Sequence, residues 1–261
     1  MTSTADASAP DAPDASAYEA RALAELHAWQ AKITREPGPW DRATRNMQDT
    51  INGIIPEKVH QAVTATLEQV TRGILTGSTW TTAKPLAPAA LAEREDRVRQ
   101  AIRNYRTVAA TEGGVAGAGG FVLAAAEFPV LLSTKIKLLF DIAALYGHET
   151  QPWSERLFIL SVFQLAFSSA QHRLDVYRGM EDWDARHALA EPQPADFDWR
   201  TFQQQYRDYI DLAKLAQLIP VIGAPVGVVV NWRLVDRLGE AAMNAYRMRW
   251  FAADGGGNPL P

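Results

Sequence analysis

The chain has 261 residues, and 47% of them are hydrophobic, so it can bury a sizeable core in one large domain or two small ones. Lysine and arginine number 26 and aspartate and glutamate 30, and the formal charge of -4 argues against a general nucleic-acid binder, which usually carries a basic patch. Cysteine is absent, which excludes disulfide bonds, thiolate metal sites and cysteine nucleophiles.

Both ends of the chain are predicted to be disordered tails. Residues 1–17 contain neither the basic segment nor the continuous apolar segment of a secretory signal peptide. Residues 254–261 are rich in glycine and proline, which do not continue a helix. The folded part is therefore expected to be one domain over residues 18–253.

The first two predicted helices carry apolar residues at helical spacing. In the first, which the Pro37-Gly38-Pro39 sequence would end, these residues are Ala22, Leu26, Trp29 and Ile33. Pro56 suits the first turn of the second helix, because that position needs no N–H donor. The apolar side of this second helix is formed by Val59, Val63, Leu67, Val70 and Ile74.

The third predicted helix, Leu91 to Thr111, carries many charges between Glu93 and Arg106. Its apolar face is formed by Val98, Ile102, Tyr105 and Val108. The charges are typical of a solvated face with local ion pairs. No segment shows the period-two alternation of a half-buried strand, so the predicted fold is all-α, a compact multi-helix bundle.

Three stretches lack charged residues entirely: 113–126, 157–171 and 215–232. The first two are shorter than the roughly 20 apolar residues that span a bilayer, and the third contains Pro220 and Pro225. Glycine-rich, hydrophobic central helices of a bundle are therefore expected, with a membrane-touching hairpin as the alternative.

Two pairs of glycines lie four residues apart in the uncharged stretches: Gly113 with Gly117, and Gly223 with Gly227. On a helix, this spacing leaves a flat patch that lets another backbone approach closely, so these residues are predicted to mark tight helix packing. The glycines do not fit a dinucleotide fingerprint, and no P-loop motif is present.

A further helix is predicted to begin at Pro129 and to end at Tyr146-Gly147, where glycine suits a left-handed cap. Glu127 lies just before it in an otherwise apolar stretch. If this carboxylate is buried, it needs a cation or a proton, and the candidate partners are Lys135, Arg173 and Arg233. The alternative places Glu127 at a helix end facing water.

The last predicted helix has an apolar face formed by Leu234, Leu238, Ala241, Ala242, Ala245 and Tyr246. It then continues with Arg247, Arg249, Trp250 and Phe251. Arginine and aromatic side chains together suit a lipid headgroup interface. Cations also favour the ends of helices for local electrostatic reasons, and both interpretations stay open.

Several short motifs, in this order and separation, resemble the bacterial EcsC family over about residues 46–251. They are Ile55-Pro56-Glu57-Lys58-Val59, Glu112-Gly113-Gly114, Phe128-Pro129, Ala144-Leu145-Tyr146-Gly147, Ile219-Pro220-Val221-Ile222-Gly223, Gly227 and Asn231-Trp232. The family takes its name from a protein encoded beside the two components of an ABC transporter. The resemblance implies a helical bacterial protein that acts near the cytoplasmic membrane, and it supplies no catalytic residues.

Two histidine–aspartate pairs are weak candidates for metal ligands. His172 and Asp175 lie three residues apart, as do Asp184 and His187, so each pair could share a helical face. No HExxH sequence is present, and no serine stands in the G-x-S-x-G context of a nucleophile. Surface or hydrogen-bonded roles are expected for these residues, with no metal and no cofactor.

The sequence favours a non-catalytic accessory or adaptor protein, located in the cytoplasm and peripherally at the inner face of the cell membrane. Its expected partner is a membrane surface or a membrane protein, and not a nucleic acid. One alternative is a hydrolase or metal-dependent enzyme with a His/Asp site. Another is a soluble lipid or fatty-acyl binding protein, which would need an apolar cavity between the uncharged helices.

Overall fold

A computed structural model describes the backbone of residues 12–35, 57–76, 84–116, 120–188, 198–209 and 224–253. Within these ranges it also describes the side-chain surroundings, except at residues 12–14, 58–60, 109–127, 171 and 206–230. All regular elements in the described ranges are helices, which confirms the all-α prediction. In chain order they are α1 (Ala12–Thr34), α2 (Glu57–Thr76), α3 (Leu91–Ala116), α4 (Gly120–Leu145), α5 (Trp153–Phe167), α6 (Ala170–Met180), α7 (Trp183–His187), α8 (Trp199–Tyr209) and α9 (Ala224–Ala252).

Helix α9 is the centre of the bundle. It packs mainly against α3 and also contacts α5, α4 and α1, while α3 and α4 form a second close pair. The predicted apolar face of the last helix is confirmed, because all six of its residues are buried in α9. The predicted apolar residues of α1 are also buried.

Helix α5 lies in the apolar core. It contains most of the uncharged stretch 157–171, and its buried side chains include Phe158, Phe163 and Phe167. The chain leaves helical geometry at Ser168 and Ser169, which are extended, before α6 begins at Ala170. Between residues 157 and 167, this uncharged stretch is therefore a largely buried helix.

Helix α1 begins at Ala12 and so includes residues 12–17, which the sequence assigned to the N-terminal tail; Pro13 fits its first turn. One predicted helix boundary is wrong. Pro129 lies inside α4 and does not begin a helix. The hydrogen bond that proline removes is offset by packing on both sides, where Phe128 and Leu131 are buried.

Two of the charged side chains predicted to be solvated on α3 are buried instead: Arg94 and Glu95. The guanidinium of Arg94 donates to the backbone carbonyls of Ala89 at 3.0 Å and Leu145 at 3.2 Å, which ties the start of α3 to the end of α4. Gly147 adopts φ +94°, as predicted for a left-handed cap, and a Cβ there would lie 2.7 Å from Arg94 Nη1.

Among the glycines whose surroundings the structure describes, the closest contact between helices is not at one of those predicted. Gly113 lies in α3 and Gly227 in α9, but the surroundings of these two glycines are not described. Gly117 and Gly223 lie outside the described residues. At Gly239 of α9, a Cβ would lie only 2.5 Å from Ile102 Cδ1 of α3. This glycine lets the two principal helices approach each other.

Replacing Gly239 by leucine is expected to lower the free energy of unfolding by about 1–3 kcal/mol, because the new side chain would overpack the contact with Ile102. Urea denaturation measures this change. Gly179→Leu in α6 is the control, since nothing lies within 4 Å of a Cβ there, and it should gain about 0.5–1 kcal/mol of helix propensity. Equal effects at the two glycines would contradict the prediction, and Ile102→Ala should partly rescue Gly239→Leu.

Candidate functional site

Three large hydrophobic side chains are exposed on three neighbouring helices. Val108 of α3 is 47% exposed, Val130 of α4 59% and Trp232 of α9 43%. A single exposed apolar residue is ordinary on a protein surface, but a group of them at one place marks an interaction site. Whether these side chains belong to one interaction site therefore depends on how the three helices are arranged.

Helices α3 and α9 run antiparallel. Glu95, near the start of α3, contacts Arg247, near the end of α9, with 2.7 Å between Oε1 and Nε. Further along, Arg106 Nε lies 3.2 Å from Asp236 Oδ1. The end of α3 consequently lies beside the beginning of α9.

Helices α3 and α4 are antiparallel as well. Arg94 at the start of α3 reaches the Leu145 carbonyl at the end of α4, and only three residues separate the end of α3 from the start of α4. Val108, Val130 and Trp232 therefore lie in the same half of the bundle, toward the connection between α3 and α4. We call this the apolar end.

The helices that form the apolar end carry few charges on their adjoining turns. In α3 and α4, the helical residues 113–116 and 120–126 are uncharged and are flanked by Glu112 and Glu127, and α9 has no charged residue before Arg233. No helix within the described ranges has both the length and the hydrophobicity needed to span a bilayer.

Basic side chains border the apolar end. The guanidinium of Arg106 lies 4.2 Å from the ring centroid of Trp232 while it pairs with Asp236. Arg233 is exposed on the next residue of α9. An aromatic ring beside arginines is an arrangement that suits a bilayer interface.

The opposite part of α9 is held by a buried cluster around Glu95, which is 0% exposed. Arg247 binds Glu95 through two hydrogen bonds of 2.7 Å, Tyr18 donates to it at 2.7 Å and Arg99 at 3.0 Å. Tyr146 adds a fifth hydrogen bond at 3.2 Å. We call these five residues the Glu95 cluster; it joins α1, α3 and α9 to the end of α4.

A second group, the Glu155 cluster, joins α5, α7 and α9. Glu155 accepts hydrogen bonds from Arg249 at 2.6 Å and Tyr246 at 2.7 Å, and Arg249 also binds Asp184 through two hydrogen bonds of 2.6 and 2.9 Å. Burial opposes ionisation of Asp184, but the hydrogen bonds and charge of Arg249 outweigh it and lower the pKa of this carboxyl. The Asp184–Arg249 pair is therefore charged, and Arg249 donates hydrogen bonds to both carboxyl groups.

Tyrosines connect the two clusters and stay protonated. The rings of Tyr146 and Tyr246 stack with 5.2 Å between their centroids. Burial raises the pKa of both phenols well above the usual value, and the neighbouring glutamates raise it further. Burial and a hydrogen bond to Glu95 raise the pKa of Tyr18 to about 12. These groups act as hydrogen-bond donors, which is what a structural network requires.

His148 packs against the ring of Tyr246 with 5.2 Å between centroids. Burial lowers its pKa to about 3, and the positive charge of Arg249 contributes. Glu155 Oε2 lies 3.9 Å from His148 Nδ1, but Arg249 already neutralises that carboxylate and prevents it from stabilising an imidazolium. His148 is neutral at physiological pH.

Comparison with known proteins gives the family. The model of the EcsC protein family matches residues 20–251. The chain belongs to the EcsC family. Protein EcsC of Bacillus subtilis strain 168 is 39% identical over 228 residues, which cover 87% of this chain and 94% of that protein. The uncharacterized protein YdbA of the same organism is 25% identical over 247 residues, covering 87% and 90% of the two chains. No solved structure matches.

The EcsC family match begins at residue 20, earlier than the predicted residue 46, and so takes in most of α1. Both clusters lie largely within the matched region, and only Tyr18 falls outside it. The matched region also contains all three residues of the apolar end.

The interpretation of Arg247 and Arg249 as exposed headgroup anchors is wrong, whereas Arg249 does lie in the last turn of α9. Both side chains are buried in ion pairs with Glu95 and Glu155. The partners are 152 and 94 residues away in the sequence, so no local pattern indicates these pairs.

The four candidate metal ligands do not form one site. Asp184 is bound by Arg249, and His187 lies on α7 with its Nδ1 2.8 Å from the Trp183 carbonyl. His172 and Asp175 lie on the separate helix α6. Among the described residues, no three ligand-type side chains are grouped as a metal would require.

The side-chain environment of Glu127 lies outside the described residues, although its backbone belongs to α4. Of its three candidate partners, Lys135 is buried in α4, with Nζ 3.4 Å from the Leu131 carbonyl. Arg173 and Arg233 lie on α6 and α9. A buried role for Glu127 stays a prediction, as do the enzyme and lipid-carrier hypotheses.

Proposed function

We propose that this EcsC-family protein is a non-catalytic accessory or adaptor protein that associates peripherally with the inner face of the cytoplasmic membrane. The apolar end makes the contact. The observation that carries this proposal is that Val108, Val130 and Trp232 are each exposed in the same half of the bundle, where Glu112 and Glu127 are the charged residues between them and the uncharged helical residues 113–116, 120–126 and 224–231. Burying such side chains at the boundary of headgroups and acyl chains is favourable, and it requires no spanning helix.

The two buried clusters support a scaffold role. Their carboxylates, guanidiniums and phenols are engaged with one another by hydrogen bonds of 2.6–3.2 Å. Such satisfied networks rigidify a core and fix the relative position of helices. We infer that the clusters hold α3, α4 and α9 in the arrangement that presents the apolar end to the bilayer.

Liposome flotation tests the proposal. The full chain should float with phosphatidylcholine vesicles, and the double variant Val130→Ser with Trp232→Ser should bind them roughly tenfold more weakly, since apolar area is lost from the contact. Both residues are exposed, so the variant should keep its circular dichroism spectrum and unfolding midpoint.

Leu157→Ser is the control for this experiment, because it shortens a partly buried hydrophobic side chain on α5, a helix that contributes no residue to the apolar end. Its vesicle binding should match that of the unmodified protein. Failure of the unmodified protein to float, or equal binding by the Val130 and Trp232 double variant, would contradict the proposed function.

A further inference from the structure

A cavity of about 690 Å³ lies between α1, α5, α6 and α9. Its volume is within the range of about 300–1,000 Å³ that small-molecule sites occupy. Trp29, Leu165 and Ala241 are buried and give it an apolar floor. Its charged lining residues come from three different helices and are Lys32, Arg173, Arg233, Arg237, Asp236 and Glu240.

The lining carries more cations than carboxylates, although the whole chain has a formal charge of -4. One of the two carboxylates, Asp236, is already paired with Arg106 at 3.2 Å. Among the described residues, neither Lys32 nor Arg233 forms an ion pair with a carboxylate. Cations around one concavity repel each other unless an anion offsets their charge, so the cavity suits an anionic ligand.

Arg173 is held in a defined position at this cavity. Its Nη2 donates to the Ser168 carbonyl at 3.2 Å, and the extended residues Ser168 and Ser169 turn the chain so that α6 begins beside the cavity. A planar guanidinium in a fixed position can bind two oxygens of a carboxylate or of a phosphate at once. The chemistry of the lining therefore suits an oxyanion of either kind.

The cavity adjoins the border of the apolar end. Arg233 of the lining follows Trp232 directly, and Asp236 of the lining holds Arg106, whose guanidinium lies over the Trp232 ring. If the apolar end enters a bilayer, this cavity lies at the level of the headgroups. Its apolar floor could then contact the glycerol and the first carbons of the acyl chains.

We propose that this cavity binds the phosphate-bearing headgroup of an anionic lipid, with Lys32 and Arg233 supplying the positive charge. The inference rests on the proposed membrane association and names the class of lipid that the protein selects. The apolar end alone would bind a neutral lipid surface, whereas the cavity would make binding to an anionic lipid surface stronger.

The test compares flotation of the full chain with vesicles of phosphatidylcholine alone and vesicles that also contain phosphatidylglycerol. The double variant Lys32→Gln with Arg233→Gln should bind the anionic vesicles about 30-fold more weakly, so that the preference for anionic over neutral vesicles is lost. The control variant Arg21→Gln with Arg97→Gln removes the same charge from exposed positions on α1 and α3, and it should keep the preference for anionic vesicles.

Equal binding of the unmodified protein to both vesicles, with no effect of the Lys32 and Arg233 substitutions, would overturn the cavity assignment and leave the proposed function intact. Titration with water-soluble dihexanoyl phosphatidylglycerol, followed by the indole NMR signals of tryptophan, tests the cavity without vesicles. Saturable shifts that disappear in the double variant support the headgroup site even if no vesicle floats, in which case only the proposed function fails. Equal shifts with inorganic phosphate alone would identify free phosphate as the ligand and overturn the lipid assignment.

Discussion

Replacing Glu95 by glutamine is expected to lower the free energy of unfolding by about 3–5 kcal/mol, the cost of breaking a buried ion pair by neutralising one partner. Glutamine has the size of glutamate but leaves the buried guanidinium of Arg247 without its main counter-charge. Glu25 also contacts Arg247, at 2.9 Å, but its side chain is half-exposed and cannot replace the lost carboxylate. Urea denaturation followed by tryptophan fluorescence measures the change.

The matched control lies two residues earlier on the same helix. Glu93 pairs with Arg97 at 2.8 Å, and both side chains are about half-exposed. Because water screens such pairs, Glu93→Gln should cost less than about 0.5 kcal/mol. A similar loss of stability in the two variants would show that burial does not increase the contribution of the Glu95 ion pair to stability.

A double substitution separates the cost of the orphaned charge from the value of the pair itself. Glu95→Met combined with Arg247→Met leaves neither of the two charges and keeps much of the side-chain volume, so it should be more stable than Glu95→Gln. Methionine at position 95 cannot accept the hydrogen bonds that Tyr18, Arg99 and Tyr146 donate to Glu95. The same loss in both variants would therefore mean that these hydrogen bonds, and not the orphaned charge, carry most of the energy.

Periodicity in the sequence predicted the helices whose buried and exposed faces differ in polarity. The apolar faces of α1 and α9 and the glycine cap after α4 follow from residues a few positions apart, and all three agree with the structure. The same reasoning failed for Arg94 and Glu95, since a dense run of charges on one helix resembles a solvated face. Their burial depends on α4 and α9, which lie far away in the sequence.

The candidate site was predictable only in part, for the same physical reason. Val108 continues the apolar stripe of α3 and was predicted to face the core, but it is exposed at the apolar end. Trp232 was noticed for its family motif, and not as a surface group. The cavity combines Lys32, Arg173 and Arg233 from three helices, and only the tertiary fold shows that they share one concavity.

Lowering the pH from 7.5 to 5 is expected to destabilise the protein by about 2 kcal/mol through His148 alone. Burial and the charge of Arg249 lower its pKa in the folded protein to about 3. In the unfolded chain, its pKa is about 6.5, so the unfolded state binds more protons between these values. The contribution of His148 is fully present above about pH 6.5 and is lost as the pH falls toward 3.

The variant His148→Gln isolates this contribution. Its free energy of unfolding should change less between pH 7.5 and pH 5 than that of the unmodified protein, by about 2 kcal/mol. Measurements stay above about pH 5 so that protonation of carboxylates such as Asp184, whose pKa is lowered, contributes little. His27→Gln, at an exposed position on α1, is the control and should leave the pH dependence unchanged. If His148→Gln and the unmodified protein lose stability equally on acidification, His148 is protonated in the folded state, and the Glu155 cluster must tolerate a charge beside Arg249.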